Sequence, residues 1–292
     1  MTNLRNLIVC EDPSSKTTPR KILNQWNNMG MKTELWNEQS YFTPNTKHPK
    51  NKKDILKIHH KRQAACYETC MKHLNKNDRT WTMLIDVDEY LSFNSIIDYE
   101  EDKKINAIID VNKGKKLDRK DSRKMEQLKL RTKLPINEDI TIAQYIKKQK
   151  YNIPWNDSSC MSFPRLHFYK QKGPQQSHKN LSTLNYFSHA TKGSTNENGL
   201  GKSIVDVSRM HDFKVRDHHS INKECGQEVE HMYSLLRVNH YQSRQMYVEG
   251  QEIDSSYEMQ GWFDRFVGMV GLEKADDLLK GGDNKRVSLS VS

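Results

Sequence analysis

The sequence predicts an α/β fold in which a mixed β-sheet is flanked by helices. Residues 4–36 show strand, helix and strand patterns in succession, which is typical of two parallel strands joined by a crossover helix. A second helical pattern leads into the apolar run 81–91, WTMLIDVDEYL. That run reads as a buried strand with three acids at its carboxyl end, where open α/β sheets bind ligands.

The elements of the first half follow from local signals. Residues 4–10 are apolar enough for a short buried strand. Pro19 suits the first turn of a helix that ends near Gly30. A second strand is predicted at 32–36, and a helix at 58–74 precedes the acidic strand, so the predicted order is β-α-β-α-β.

The basic segment 98–136 follows. From residue 101 to 150 there are fifteen Lys or Arg against eight Asp or Glu. The segment lacks the interleaved aromatic residues of a nucleic-acid groove, so the net charge of +10 does not predict a nucleic-acid partner. We expect a partly helical, poorly packed insertion.

The second half contains shorter elements. Thr141 and Gln144 have capping-box spacing and predict a helix start. Pro164 interrupts the strand pattern 159–168, which predicts an edge strand or a bend. Two short strands are expected at 203–207 and 235–238. An amphipathic helix is expected at the end of the chain, over residues 255–279.

The acids at 86–89 suggest a hard divalent cation. Clustered carboxylates repel one another unless a cation or protons neutralise them, which favours Mg²⁺ or Mn²⁺. Asp86 and Asp88 lie on the same side of an extended chain, and Glu89 then faces the other side. Asp88 would bind the metal directly, with Asp86 on the ribose or on metal-bound water. The alternative is a strand end with solvated acids.

Other candidate site residues lie in later loops and in the long helix. His219 and His240 could each supply an imidazole to a metal held by carboxylates, although a hydrogen-bonded structural histidine is the alternative for either. Lys202, Arg62 and Arg165 are candidate phosphate ligands. The candidate general base is Asp157, with a solvated or capping role as its alternative.

The five cysteines show no zinc spacing, and Cys66 and Cys70, one helical turn apart, are expected to pack rather than to form a disulfide. No signal peptide or transmembrane run is apparent, so we expect a cytoplasmic protein as the chain stands, or one of the secretory pathway if an N-terminal segment is missing. No Walker loop, nucleophile elbow or dinucleotide fingerprint follows a strand, which disfavours those classes.

Taken in order, these segments resemble glycosyltransferases of the GT-A fold, particularly the family 92-like group of the glycosyltransferase 2 superfamily. The resemblance covers most of residues 7–248 and begins at what looks like the second strand of that sheet. The segments that carry it are VCEDPSSKTTPRKILNQW, HHKRQAACYETCMKHL, WTMLIDVDEYLSF, TIAQYI, SCMSFPRLHF, GKSIVDVSRM and LLRVNHYQSRQMY.

The resemblance implies a GT-A-like, Rossmann-like mixed sheet and transfer of a sugar, hexosyltransferase-like, from a nucleotide-sugar with Mn²⁺ or Mg²⁺ as cofactor. A UDP-sugar is the favoured donor, and the acceptor is a hydroxyl of a glycan or glycoconjugate. The resemblance implies that Asp86 and Asp88 serve the donor and the metal, that Glu89 supports them, and that Lys202 lies near the phosphates. His219 or His240 could complete the metal site. Arg62 and Arg165 as substrate-binding cations and Asp157 as the base stay candidates from their side-chain chemistry.

The domain boundaries follow from the same resemblance. The nucleotide-sugar-binding half would span 1–97, the basic insertion or linker 98–136, the acceptor half 137–250, and the C-terminal helix and tail 251–292. Two alternative functions remain open: a catalytically incomplete relative that binds sugars or a partner, and a basic nucleic-acid-binding protein.

Overall fold

The protein is described by a computed structural model. It describes residues 6–13, 15, 18–43, 51–77, 81–96, 99–135, 140–142, 144–145, 159–170, 186–189, 201–215, 231–242 and 264–275. The helices within these ranges are α1 (Arg20–Asn28), α2 (Glu38–Tyr41), α3 (Lys52–Lys76), α4 (Tyr99–Val111) and α5 (Arg119–Arg131). The strands are β1 (Asn6–Cys10), β2 (Lys32–Trp36), β3 (Trp81–Met83), β4 (Glu89–Phe93), β5 (Cys160–Phe163), β6 (Arg165–Lys170), β7 (Tyr186–His189), β8 (Lys202–Asp206) and β9 (Leu236–Gln242).

The predicted strand–helix–strand unit at the start of the chain is confirmed. Strands β1 and β2 pair in parallel, with Asn6 opposite Lys32 and Cys10 opposite Trp36. Helix α1 follows Pro19, and the chain leaves it through Gly30, whose φ of 90° favours glycine. Glycine and proline therefore delimit this helix as the sequence indicates.

Helix α3 is longer than predicted, with 25 residues from Lys52 to Lys76. It begins earlier because the Asn51 side chain accepts a hydrogen bond from the backbone N–H of Asp54 and caps the first turn. An acid in the first turn and His73 with Lys76 in the last complement the helix dipole. The helix returns the chain to β3.

The prediction of one strand across 81–91 is wrong. Strand β3 ends at Met83, and β4 begins at Glu89 in another sheet. The acids therefore occupy a connection between two strands instead of the mouth of a buried parallel strand. The polar backbone of this connection folds into a turn, in which the N–H of Glu89 donates to the carbonyl of Asp86 at 3.1 Å.

The described strands form small sheets in a mixed α/β arrangement. Beside the β1–β2 pair there is a three-stranded sheet in the order β3-β8-β5 and a four-stranded sheet in the order β4-β9-β6-β7. The chain passes between the two larger sheets at residues 84–88 and again at Pro164. The predicted bend at Pro164 is thus confirmed, and it separates β5 from β6.

Strand β8 lies between two hydrophobic clusters. Its residues are all buried. Ile204 belongs to a cluster with Phe163 and Val238, whereas Val205 belongs to a cluster with the α3 residue Met71. Successive strand residues face opposite sides, so this short strand joins the two halves of the core. The pairing of β8 with β3 and β5 therefore fixes the position of Lys202, the first residue of the strand.

The expectation of a poorly packed segment at 98–136 is wrong. Helices α4 and α5 lie within it, and Ile105 and Leu128 are fully buried. Helix α5 is capped by Asp118, whose side chain accepts from the N–H of Asp121. Most of the basic side chains are exposed, but Arg131 is buried, as are the apolar residues Ile105 and Leu128, which net charge alone did not reveal. The domain boundaries drawn around this segment stay a prediction.

The expectation that Cys66 and Cys70 do not form a disulfide with each other is confirmed, and Cys70 is a buried free thiol. Cys66 instead forms a disulfide with Cys10, which was not predicted. Cys160 is disulfide-bonded as well. The Cys10–Cys66 disulfide joins the end of β1 to the middle of α3, and its two cysteines have a sequence separation of 56. Spacing along one helix could not show this contact, because the partner lies on another element.

The C-terminal residues 264–270 and 272–275 are helical, and Phe266 packs against Trp26 of α1 with ring centroids 6.1 Å apart. The rest of the helix expected at 255–279 lies outside the described residues. No helix among the described residues is long and apolar enough to cross a membrane.

Candidate functional site at the junction of two sheets

The acidic turn, residues 86–89, brings together acids that we expected on opposite sides of a strand. The backbone N–H of Asp86 donates to Oε2 of Glu89 at 3.0 Å, so the turn folds Glu89 back towards Asp86. Val87 at the tip is 92% exposed. The expected shared face of Asp86 and Asp88 is therefore wrong, because the chain is not extended here.

Lys202 lies against both of the acids that the turn joins. Its Nζ is 2.9 Å from Oδ2 of Asp86 and 3.1 Å from Oε2 of Glu89. The antiparallel register explains this position, since Met83 pairs with Ile204 and the residues before Ile204 run alongside the start of the connection. Lys202 as a phosphate ligand stays a prediction, and in this structure its ammonium contacts two protein carboxylates.

Glu89 is the most deeply buried acid of the site. Its side chain has no solvent exposure, and Nη1 of Arg165 lies 3.3 Å from Oε1. A buried carboxylate is costly unless it is paired and hydrogen-bonded, and here a lysine and an arginine supply the pairing. Arg165 was expected at the substrate, but it is itself buried and contacts Glu89.

Asp88 differs from its neighbour because its side chain is 45% exposed. Its carboxylate oxygen Oδ2 lies 3.3 Å from Nε2 of His240, and its backbone carbonyl accepts from the N–H of Tyr241 at 2.9 Å. Strand β9 thus holds both the backbone and the side chain of this acid. Asp88 and His240 form the open side of the site.

The β4–β9–β6 ladder explains how the histidines gather. Glu89 pairs with His240, and His240 pairs with His167 on the next strand. The rings of His167 and His240 are 4.7 Å apart. Two strands that are distant in sequence therefore place imidazoles beside the acidic turn.

Helix α3 contributes contacts from the other side. The amide of Gln63 donates to Oδ1 of Asp86, and the Tyr67 hydroxyl donates to the same oxygen at 3.3 Å. Burial, followed by the charges of Asp86 and Glu89, raises the pKa of Tyr67. Tyr67 is therefore a hydrogen-bond donor to Asp86 throughout the ordinary pH range.

Gln63 and Tyr67 were not predicted as site residues. Their spacing of four places them on one helical face, which is the signal that could have drawn attention to them. His167 was also missed. Its alternation with Arg165 along β6 puts both on one side of the strand, but only the pairing with β9 brings that side to the acidic turn.

Arg62 does not join the acidic turn in the contacts observed. Its Nε pairs with the carboxylate of Glu38 on α2. Tyr41 lies in the same region and donates to the carbonyl of Glu11 at 3.0 Å. Arg62 therefore links helix α3 to the chain that follows β2. His219 and Asp157 lie outside the described residues.

Asp88 and His240 are better placed to bind a divalent cation than Asp86 is. Asp86 receives hydrogen bonds from Gln63, Tyr67 and Lys202, so its carboxylate is occupied by protein donors. Asp88 and His240 offer an exposed oxygen and an imidazole nitrogen. No cluster of three or more potential metal ligands occurs among the described residues. A cation here would need further ligands from a substrate and water, as Mg²⁺ often does.

No family model matches the chain, and no curated protein matches it at a significant level.

Proposed function

We propose that the protein is a metal-dependent glycosyltransferase with a GT-A-like fold, which moves a sugar from a nucleotide-sugar to a hydroxyl of a glycan or glycoconjugate. The observation that carries the proposal is the exposed Asp88 paired with His240, beside a charge-balanced pair formed by Asp86 and the buried Glu89. The sequence resemblance supplies the reaction. A UDP-sugar is the donor that this resemblance favours.

Asp88 and His240 would hold the metal in this proposal. Their ligand atoms suit Mn²⁺ or Mg²⁺, with Mn²⁺ the better match to an imidazole. The bound metal would neutralise charge on the departing diphosphate. Asp86 would not ligate it directly, because Lys202 and the α3 side chains hold its carboxylate in place.

The remaining residues have supporting parts. Lys202 and Arg165 pair with the buried carboxylate of Glu89, and Glu89 in turn accepts the N–H of Asp86. This arrangement fixes the path of the acidic turn and so the direction of Asp88. His219 remains proposed as a further metal ligand from the resemblance, and Asp157 as the acceptor base from its carboxylate chemistry.

The disulfides favour an oxidising cellular compartment for the protein. Cys10–Cys66 and the bonded Cys160 are typical of an oxidising compartment and rare in the cytosol of mesophiles. We therefore place the protein in the lumen of the secretory pathway in this proposal, in preference to the cytoplasm. That compartment agrees with a glycan or glycoconjugate acceptor.

The test is a thermal-unfolding panel of nucleotide-sugars with and without Mn²⁺, on the wild type and on Asp88→Asn. One donor should stabilise the wild type only with the metal, by about 2.7 kcal/mol at a hundredfold excess over Kd. Asp88→Asn should lose that stabilisation and keep its unliganded stability, because this side chain is half exposed. Asp110→Asn, an exposed acid at the end of α4, is the matched control.

A shift that persists in Asp88→Asn, or the absence of any shift with a cooperatively unfolding protein, would contradict the proposal. Release of nucleoside diphosphate in the presence of acceptors would distinguish an active glycosyltransferase from a catalytically incomplete relative. Metal-dependent donor binding without release would identify a catalytically incomplete relative.

A further inference from the structure

The ammonium of Lys202 occupies the space between two carboxylates. It lies 2.9 Å from Asp86 and 3.1 Å from Glu89, and its side chain is 1% exposed. A buried lysine is costly unless acids pair with it, and two acids close together repel one another unless a cation lies between them. The ammonium of Lys202 and the two carboxylates therefore stabilise one another.

The protein backbone fixes this geometry from both directions. The acidic turn holds Asp86 and Glu89 together through the hydrogen bond from the N–H of Asp86 to Oε2 of Glu89. Lys202 is the first residue of β8, which is buried along its length and paired on both sides by β3 and β5. This pairing therefore fixes the backbone of Lys202 beside the acidic turn.

Among the contacts described, Arg165 pairs with Glu89 and does not bridge the two acids as Lys202 does. It contacts the other oxygen of Glu89, Oε1, at 3.3 Å. Asp86 receives neutral donors from Gln63 and Tyr67, which satisfy its lone pairs but carry no charge. Among the contacts described here, Lys202 is the cation common to Asp86 and Glu89.

We propose that Lys202 is a positioning residue and the resident counter-ion of the Asp86–Glu89 pair, standing where a divalent cation would otherwise be drawn. One part of the inference rests on the proposed function: an incoming metal would be directed to the exposed Asp88, which precedes Glu89 in the turn, and to His240 on β9. Removing the ammonium should convert Asp86 and Glu89 into a cation site, open to solvent through Asp86, whose side chain is 29% exposed. The prediction of this cation site concerns cation binding alone and does not rest on glycosyl transfer.

The experiment is a calorimetric titration of the full chain with MnCl₂, without any nucleotide. Lys202→Met should bind Mn²⁺ at least tenfold more tightly than the wild type, about 1.4 kcal/mol in binding free energy. Lys202→Arg keeps a cation at the same place and should bind as the wild type does. Lys202→Met/Glu89→Gln removes one charge of each sign and should lose the gain.

A gain in metal affinity separates this role from a structural one, because general loosening of the fold would weaken binding. A folded Lys202→Met that binds Mn²⁺ no more tightly than the wild type would overturn the inference. If Lys202→Met does not fold, stability regained with MnCl₂ or on adding Glu89→Gln supports it. Failure of both to restore folding would overturn it, whatever the outcome of the nucleotide-sugar panel.

Discussion

Two adjacent acids in the acidic turn have different environments. The Glu89 side chain has no solvent exposure and is paired with Lys202 and Arg165, whereas Asp88 is half exposed and meets one imidazole. Replacing Glu89 would remove a buried carboxylate that Lys202 and Arg165 share. Replacing Asp88 would alter an exposed group. The two positions therefore separate structural support from ligand contact, although they are neighbours in sequence.

The environment of Tyr41 makes the stability of the folded protein depend on pH. Burial, with the charges of Asp12 and Glu38 in the same direction, raises the pKa of Tyr41 to about 12, from an ordinary value near 10.0. Its hydroxyl donates to the carbonyl of Glu11. Because the folded state holds this proton more tightly, the group's contribution to stability is complete below pH 10 and is lost as the pH rises towards 12.

We expect Tyr41→Phe to be less stable than the wild type at pH 8, with a difference that shrinks as the pH rises from about 10 to about 12. The free energy of unfolding in urea, measured across this range for both proteins, checks the expectation. Tyr41 is only partly buried, so the sign and the pH window are the decisive readouts. A difference that stays constant with pH would show that Tyr41 titrates normally in the folded protein.

At the element scale, one arginine attaches helix α5 to the sheet. Arg131 is fully buried and pairs with Glu101 of α4 at 2.8 Å. Its guanidinium also donates to the carbonyls of Asn94, Ser95 and Met232, which lie after β4 and before β9. The α4–α5 pair is therefore bound to the end of β4 opposite the acidic turn.

Arg131→Met should destabilise the protein by about 3–5 kcal/mol, because it leaves Glu101 buried without its charge partner. Lys129→Met on the exposed side of the same helix is the matched control and should change stability by no more than about 0.5 kcal/mol. Urea unfolding measures both variants. Equal effects from the two substitutions would mean that the buried pair does not anchor the helices.

At the scale of the whole molecule, the β1–α1–β2 unit is tied to the rest through α3. The Cys10–Cys66 disulfide joins the end of β1 to this helix, and Ile8 and Trp36 pack against the cluster that contains Met71. Gln63 and Tyr67, on the same helix, hold Asp86. The first two strands therefore connect to the acidic turn through a single rigid element.

Cys10→Ser/Cys66→Ser should lower the free energy of unfolding by up to about 4 kcal/mol, since the disulfide joins residues with a sequence separation of 56. Cys70→Ser is the control for loss of a buried cysteine without loss of a disulfide. Non-reducing urea unfolding measures all three proteins. A double variant as stable as the wild type would argue against a structural disulfide in the folded protein.

Local patterns predicted much of the fold. The limits of β2 and the parallel β1–β2 unit follow from apolar runs, Pro19 and Gly30, which act over a few residues. The reciprocal hydrogen bonds between Thr141 and Gln144 confirm the predicted capping box. The strand predicted at 81–91 failed because apolar composition does not distinguish one long strand from two short strands in different sheets.

The amino-acid sequence specifies which residue types are available at the site: the acids of the turn, Lys202 and His240. The acids were recognised because clustered carboxylates follow an apolar run, and Lys202 and His240 because they lie next to predicted strands. Folding assigns their contacts by burying Glu89 and Lys202 together and leaving Asp88 exposed beside His240. Charge balance and burial depend on strand register and helix packing between segments more than a hundred residues apart, which local sequence patterns do not encode.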